Sequence, residues 1–497
     1  MNISLILEMA AEAGADRVGL VCDGRRWTYG ELLRAARGAA ARLADSDCTF
    51  VALLDESSEA APIALFGAAL AGIPYVPLNY RLADEDLAGL LARIAPACLI
   101  GDAARAQRLD PEGGHTCLDR GAFTAAAEAA ADSFDAAQEG EDIAAQIFTS
   151  GTTGTPKAAL LRHANLLGYI LGTVEFLSAA ETDAQLVCVP PYHIAGISAL
   201  LSSIYAMRRI VMLPAFEPDE WLRLAADEQV SNAFLVPTML ARIIERMDAG
   251  NTADLSSLRA IAYGGGRMPV ELIERALTLL PDTDFTNAYG LTETSSTIAL
   301  LGPEDHRLAL TSDDPAVRAR LGSVGRPLPT VEIEIRDDDG RALPAGERGE
   351  IYVRGEQVSG EYRERSALDA DGWFPTRDAG WLDDDGYLFL AGRADDVIVR
   401  GGENISPGEI EDVLMAHPAI ADAAAVGVPS AEWGEAVGIA VAFKPQQQAL
   451  NEDELRELIR KRLPSSRVPE QIRLRDALPY NEMGKLLRRE VRTWFDE

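Results

Sequence analysis

"TSGTTGTPK", residues 149–157, holds two glycines, four threonines, a serine and a terminal lysine. It carries almost no apolar surface, so it cannot pack a core. Glycines let consecutive backbone N–H groups converge, and the hydroxyls add donors. Lys157 adds a point charge. Donors, one cation and no acidic side chain describe a cradle for a polyphosphate. The P-loop pattern G-x-x-x-x-G-K-[ST] fails on register. Counted from Gly151, Pro156 stands where the second glycine belongs, and Ala158 follows Lys157 in place of Ser or Thr. The flanks fail as well. "AAQIF" before the loop and "KAALLRH" after it both read as strands, and the next helical pattern starts near Asn165, with Leu166, Leu167, Ile170, Leu171 and Val174 on one face. The loop therefore joins two strands and must hold phosphate without a helix dipole.

Outward from the loop, strands and helices alternate. "RVGLVCDG" and "TFVALLD" read as strands, and Thr28 with Glu31 forms a capping box ahead of the helix "LLRAARGAAARLA". Ser57 and Ser58 are candidate caps for the helix that follows, and "YVPLN" is a short strand. "QLVCVP", "NAFLVP" and "LRAIAYGGG" repeat the pattern beyond the loop, with helices such as "PTMLARIIERM" between them. Such alternation predicts an α/β fold of layered βαβ sheets with mostly parallel strands. From Val331 the texture changes. "VEIEIRDDDGRALP" and "GWLDDDGYLFLAGR" place alternating residues around Asp-Gly turns, which predicts a β-rich module of hairpins. After it, "NISPGEIEDVLMAHP" offers Ser406 as N-cap, Pro407 at N1 and Glu409 to complete a box. Two apolar strands, a helix "EDELRELIRKRL", a strand and a last helix "KLLRREVRTWF" follow. The expected organisation is a large N-terminal domain over 1–392, a hinge at 393–396 and a small mobile α+β domain over 397–497.

Composition bounds the function. Lys and Arg number 46 against 78 Asp and Glu, a formal charge of −32, which argues against nucleic acid or an anionic membrane as partner. From Leu455 onward the balance reverses, with eleven basic and seven acidic residues, a hint of a small anionic ligand. Five cysteines (Cys22, Cys48, Cys98, Cys117, Cys188) without CxxC spacing read as reduced thiols of a cytoplasmic protein. "MNISLILEMAAEAG" has no basic start and meets Glu8 early, unlike a secretory signal. The longest uncharged run, Ala60–Leu78, is interrupted by Pro74 and Pro77, so a buried helix followed by a buried strand is expected and no membrane span.

Five segments in order carry a resemblance. "TSGTTGTPKAALLRH", "VPPYHIAG" (189–196), "YGGGRMP" (263–269) with "NAYGLTET" (287–294), "TRDAGWLDDDGYLFLAGRADDVIVRGGENISPGEIE" (376–411) and "NEMGKLLRRE" (481–490) together resemble the motifs of the adenylate-forming superfamily. That superfamily holds acyl- and aryl-CoA ligases, adenylation domains and luciferases, and the resemblance covers nearly the whole chain. It implies that Thr149, Ser150, Gly151, Thr152, Thr153, Gly154 and Lys157 hold ATP phosphates. Gly265, Asn287, Ala288, Tyr289 and Gly290 would form the adenine site, with Tyr289 stacked on the base; Asp378 and Arg393 would bracket the ribose. Glu293 would bind Mg²⁺, the one metal ligand, and Thr292 would contact the α-phosphate. Lys485 would stabilise charge as the adenylyl group transfers. His193, Ile194, Ala195, Gly196, Gly264, Gly265 and Ile298 would line the acyl pocket, with His193 bordering the acyl carboxylate and thiol entry as a gate, a hydrogen-bonding partner of the carboxylate or a packed ring, without acid–base duty. Asp395 would be the hinge, and Gly401 and Gly402 the surface presented for the thiol step.

The implied activity is that of an acid–CoA ligase using ATP, Mg²⁺ and coenzyme A. The apolar, small-residue pocket, with His193-Ile194 where amino-acid adenylation domains carry an aspartate, implies an uncharged aryl or short-to-medium alkyl acid. Monomer or homodimer is expected. Loading onto the phosphopantetheine of an acyl carrier protein is the alternative acceptor. A luciferase-like oxygenase, an inactive binding relative and an unrelated NTP-driven switch are the other readings. "PYNEMGK" lacks an Arg-Thr pair before its glycine and lysine, and "SSRVP" lacks a Tyr-Lys pair, departures that bear on the CoA contacts more than on the ATP site.

Overall fold

Residues 143–162 set the frame. The strands Ile143–Thr149 and Lys157–Arg162 pair antiparallel, with Thr149 opposite Lys157 and Phe148 opposite Ala158. The loop between them is thus flanked by strands on both sides, as its sequence context requires. The computed structural model describes residues 1–130, 142–149, 156–393, 396–400, 403–430, 433–445, 447–481 and 486–496. Ser150–Gly154 of the phosphate-binding expectation, Asp395, Gly401, Gly402 and Lys485 lie outside the described residues.

Among the described residues four sheets form. The hairpin belongs to an eight-stranded sheet whose strands Phe50–Leu54, Tyr75–Pro77, Ala97–Gly101 and Thr116–Asp119 run parallel. A nine-stranded sheet lies beside it. Its centre is parallel, from Val18–Cys22 through Arg209–Met212, Ala184–Val187, Asn232–Leu235 and Ala260–Gly264 to Asp284–Leu291. Helices cover these sheets, as parallel strands require. Ala60–Ala71 is buried on every side up to Leu70, which explains its lack of charge. Tyr29–Ala44 packs against it, and its capping box forms as read: Glu31 N–H donates to Thr28 Oγ1 at 3.2 Å while Thr28 N–H donates to Glu31 Oε2 at 2.8 Å. A four-stranded antiparallel sheet follows (Val331–Arg336, Gly349–Gly355, Phe374–Leu382, Leu388–Arg393). The last sheet is built entirely from residues after 397, around the long hairpin of Ile420–Ser430 and Gly434–Phe443. The expected layered α/β architecture with a β-rich module and a smaller C-terminal α+β unit is the architecture observed. No described helix is long and apolar enough to cross a membrane.

Several local expectations fail for identifiable reasons. Ser57 and Ser58 do not cap the buried helix: Ser57 Oγ donates to Val189 O at 3.3 Å and Ser58 Oγ to Asp55 Oδ2 at 2.8 Å. Ser406 is the N-cap residue of Pro407–Met415, but its hydroxyl donates to Ala391 O at 2.5 Å and no capping box forms. Glu409 instead accepts from Arg467 Nε at 3.0 Å. Tertiary partners outcompete the local cap in both cases. The helix expected near Asn165 begins at His163, with Asn165 Oδ1 accepting from Arg162 N–H at 3.0 Å. The Asp-Gly turn after Val331–Arg336 closes on a single bridge, Arg336 to Ala342, and the true partner strand is Gly349–Gly355. The last helix shortens to Arg488–Thr493.

Helix packing gives a direct test. A Cβ on Gly38 would overlap the carbonyl of Ala127 in the neighbouring Arg120–Ala129 helix, whereas a Cβ on Gly89, within Asp84–Ala92, would meet nothing within 4 Å. Overpacking of this kind costs about 1–3 kcal/mol, while glycine in a helix interior costs about 1 kcal/mol relative to alanine. Gly38→Ala should therefore lower the midpoint of thermal unfolding and Gly89→Ala should hold or raise it. Shifts of the same sign would contradict this packing.

Candidate active site

The site assembles where the ends of the two large sheets meet the antiparallel module. Ala260–Gly264 and Asp284–Leu291 are adjacent parallel strands, with Tyr263 opposite Asn287 and Gly264 opposite Ala288, so the two glycine-containing motifs lie side by side. Gly264 has to be glycine, because a Cβ there would overlap Ala288 O. Gly265, at φ +78°, turns the chain out of the sheet and is exposed. Asn287 is buried, with its Nδ2 donating to Ser323 O at 3.1 Å. Tyr289 is buried too, and its hydroxyl donates to Asp378 Oδ2 at 2.6 Å. Asp378 Oδ1 accepts from Arg393 Nη1 at 2.9 Å, and the same nitrogen donates to Thr376 O at 3.0 Å. Tyr289, expected at adenine, is therefore joined with Asp378 and Arg393, expected at ribose, in one hydrogen-bonded cluster. Burial first, and then the Asp378 carboxylate, push the Tyr289 phenol well above its usual range, so it stays a donor.

Beyond Tyr289 the chain enters a short 3-10 turn, Thr292–Thr294, and Ser295 adopts a left-handed conformation at φ +56°. The turn buries the Glu293 carboxylate and leaves Thr292 half-buried. Glu293 Oε1 accepts from the Tyr362 hydroxyl at 2.6 Å. Its backbone carbonyl accepts from Ser359 N–H at 2.9 Å and Gly360 N–H at 3.2 Å, and from Ser359 Oγ at 3.2 Å. Gln357, fully buried, donates through Nε2 to Thr294 O at 3.1 Å and Thr297 O at 2.7 Å. Residues 357–362 thus clasp the turn from outside.

Lys157 completes the cluster. Its Nζ lies 5.6 Å from the Tyr362 ring centroid, on the face of the ring whose hydroxyl holds Glu293, and among the described residues it makes no ion pair. Thr149 stands across the hairpin from it. A buried hard carboxylate, a lysine, and the strand ends that open the Gly/Thr loop are donors of the kind that a divalent cation and a phosphate chain require.

The acyl-pocket expectation divides. His193 precedes the helix Ile194–Tyr205, half-buried, with its ring centroid 4.5 Å from that of Tyr192. Burial, and next the charge of Arg81, lower its pKa from 6.5 to about 4. Ile194 and Ala195 pack at the edge of the core between the two large sheets, and Gly196 sits against Pro190, where a Cβ would come within 2.8 Å of the carbonyl. Ile298, by contrast, is fully buried in a separate cluster under the antiparallel sheet, with Val324 and Val331. On the other flank of Pro190 a cleft of about 100 Å³ opens between Tyr80, Arg81, Cys188, Phe216, Thr238 and Arg242. Sequence reasoning missed Gln357, Ser359 and Tyr362. The only trace of them is a Gly-Glu-Tyr step at 360–362 with no periodicity to flag it. It missed Arg81 and Arg242 as well.

Comparison with known proteins covers nearly the whole chain. The family model "AMP-binding enzyme" matches residues 7–363, and "AMP-binding enzyme C-terminal domain" matches 409–485. The chain is 32% identical to the 2-succinylbenzoate–CoA ligase of Bacillus licheniformis over 98% of both chains. It is also 32% identical to a feruloyl-CoA synthase from Amycolatopsis sp, over 98% of this chain and 97% of the relative. The structure of O-succinylbenzoate coenzyme A synthetase from Bacillus subtilis, in complex with ATP and magnesium ion, superposes with a TM-score of 0.84 at 28% identity over 99% of each chain. Motifs, sheet order and full-length match converge on one assignment: this chain belongs to the AMP-binding enzyme family.

Proposed function

We propose that this chain is an ATP-dependent acid–CoA ligase acting on an uncharged, apolar carboxylic acid, aryl or short-to-medium alkyl. The observation that carries the proposal is the joining of Lys157 to the buried Glu293 through Tyr362, beside the Tyr289–Asp378–Arg393 cluster. Two relatives named for ligases of aromatic acids support an aryl acid, and the feruloyl name fits one without a second carboxylate, which 2-succinylbenzoate carries. Five cysteines, all free among the described residues, support a reducing, cytoplasmic setting.

A carboxylate reacts poorly with a thiol because its oxygen is a poor leaving group. Attack of a carboxylate oxygen on the α-phosphorus of ATP forms the acyl-adenylate and expels pyrophosphate. Lys157 and the 149–157 loop hold the phosphate chain, Thr292 contacts the α-phosphate, and Asp378 accepts from the ribose hydroxyls. Glu293 is the residue that would hold Mg²⁺, which when bound neutralises phosphate charge. Lys485 brings a cation to the transferring group and withdraws when the C-terminal domain (397–497) turns about Asp395, so that Gly401 and Gly402 face the site. The thiol then attacks the adenylate carbonyl, its proton passes to solvent, and AMP leaves. The cleft beside His193 opens at the carboxyl ends of the Ala184–Val187, Arg209–Met212 and Asn232–Leu235 strands, where open α/β sheets bind ligands. Arg81 and Arg242 give it the charge to receive a phosphate-bearing thiol arm, whether from CoA or from a carrier protein.

The test is acid-dependent ATP–pyrophosphate exchange across a panel of aryl and alkyl acids, followed by CoA and a phosphopantetheinylated carrier protein as acceptors. Exchange with an aromatic acid and formation of its CoA thioester are expected. No exchange with any acid would remove the ligase reading, and exchange with carrier loading alone would reassign the acceptor. Lys485→Ala should slow adenylation by about 10²–10³-fold while sparing thiolysis of supplied acyl-AMP. Equal loss of both halves would contradict its assigned role.

His193 makes a separate prediction. With a pKa near 4 it is neutral throughout the physiological range. His193→Asn should slow thioester formation yet leave the pH profile between 6 and 8 unchanged in shape. The sign for stability is also set. The unfolded histidine binds its proton below about 6.5 and the folded one only near 4, so His193 costs stability as pH falls through that window. The fall in thermal midpoint from pH 7 to pH 5 should be smaller in the variant; an equal or larger fall would refute the assignment.

A further inference from the structure

Glu293 is buried, yet among the described residues its carboxylate accepts one hydrogen bond, from Tyr362 to Oε1. Its other oxygen, Oε2, accepts no hydrogen bond among the described residues and is left for a further partner. The turn that carries the carboxylate is itself held in place. Gln357 bonds the Thr294 carbonyl of the turn and the Thr297 carbonyl of the strand after it, Ser359 and Gly360 bond the Glu293 carbonyl, and Leu291 N–H donates to Thr294 Oγ1 at 2.9 Å. All the groups that hold Glu293 from outside come from one short segment, 357–362. That segment is anchored in turn. Glu361 and Tyr362 pair with Leu160 and Ala159 of the Lys157–Arg162 strand, and Glu361 takes a two-pronged bond from Arg162, with both contacts at 2.9 Å. Tyr362 is thereby fixed between the strand that carries Lys157 and the turn that carries Glu293.

We propose that Tyr362 is a positioning residue of the magnesium site: its hydroxyl commits Glu293 Oε1, so that Oε2 is the oxygen offered to the cation, while its ring face holds Lys157 for the phosphates. This rests on the reading of Glu293 as the metal carboxylate given above. Tyr362 touches neither nucleotide nor metal on this account. It acts through the rotamer of Glu293, and its removal frees that carboxylate to turn. A tyrosine that served only to fill space would leave metal dependence untouched when replaced by phenylalanine, since the ring remains.

The experiment is calorimetric titration of the full-length protein with ATP, once in EDTA and once in excess Mg²⁺. The wild type should bind ATP more tightly with Mg²⁺, and Glu293→Gln should abolish that gain. Tyr362→Phe should reduce the gain about tenfold, the worth of one hydrogen bond to a charged group, with metal-free binding unchanged. The double variant should bind no more weakly than Glu293→Gln alone. Tyr362→Phe with a full magnesium gain, or with metal-free binding weakened equally, would overturn the positioning role while the metal assignment stood. Glu293→Gln with a full magnesium gain would overturn both. Thermal midpoints of the variants measured alongside separate these outcomes from loss of fold.

Discussion

The pairing of two residues, Glu361 and Tyr362, with the strand Lys157–Arg162 is the constraint on which the candidate site depends. The Gly/Thr loop leaves one sheet and the turn that carries Glu293 leaves another, and sheets of this size have no intrinsic reason to meet in register. The short antiparallel contact supplies the register. Arg162 clamps it by gripping Glu361, and the clasp of 357–360 on the Thr292–Thr294 turn carries the alignment across. Because the contact lies within hydrogen-bonded backbone, a small lateral slip would break the ladder rather than shift the site. Catalytic geometry of this kind has to be held to within about half an ångström, which a loop by itself does not achieve.

Elements were legible where a local pattern decides them. The alternation of apolar strands with helices announced the layered sheets, and the uncharged run at 60–78 announced a helix buried on every side. Thr28 and Glu31 lie three residues apart, and among the described residues no other side-chain hydrogen bond competes for them. Ser406 and Glu409 have the same spacing and fail, because Ala391 O and Arg467 reach them first. The difference is not visible along the chain; it depends on which segment folds back to meet them. The site divides in the same way. Asp378, Arg393 and Tyr289 were legible as separate motif residues, but their union through one carboxylate was not. Tyr362 and Gln357 were invisible, since a tyrosine after a glutamate and a lone glutamine read as ordinary surface residues until the fold supplies their partners. Ile298 shows the converse: a residue expected to line the pocket whose side chain belongs to the core of the module beneath.

Basic residues are used selectively. Of the forty-six in the chain, four are lysines: Lys157, Lys444, Lys461 and Lys485. Arginine does nearly all the structural work, in planar, multidentate grips such as Arg162 on Glu361 and Arg488 on Glu411. Two of the four lysines fall in the phosphate loop and in the C-terminal motif. An ammonium is a compact charge on a flexible stem, able to follow a phosphate as its geometry changes, whereas a guanidinium prefers one fixed planar partner. Lysine at these two positions, in a chain that otherwise uses arginine, fits the proposed roles of groups that track a moving ligand.

A protein of formal charge −32 repels a polyphosphate at long range. Affinity must then come from contacts shorter than the screening length, about 8 Å at physiological ionic strength. The candidate site is built on that principle. Its cations are few and lie against groups that orient them: Lys157 over the Tyr362 ring and Arg393 on Asp378. The two carboxylates of the candidate site are already engaged, Asp378 by Arg393 and Tyr289, Glu293 by Tyr362. Engagement lowers the repulsion each would exert on phosphate and leaves Glu293 with one oxygen for a cation that reverses the sign of the interaction. A cation bound at Glu293 would thus do more than assist chemistry, because in so acidic a chain it makes the metal-bound nucleotide, rather than the free anion, the species the site is charged to receive.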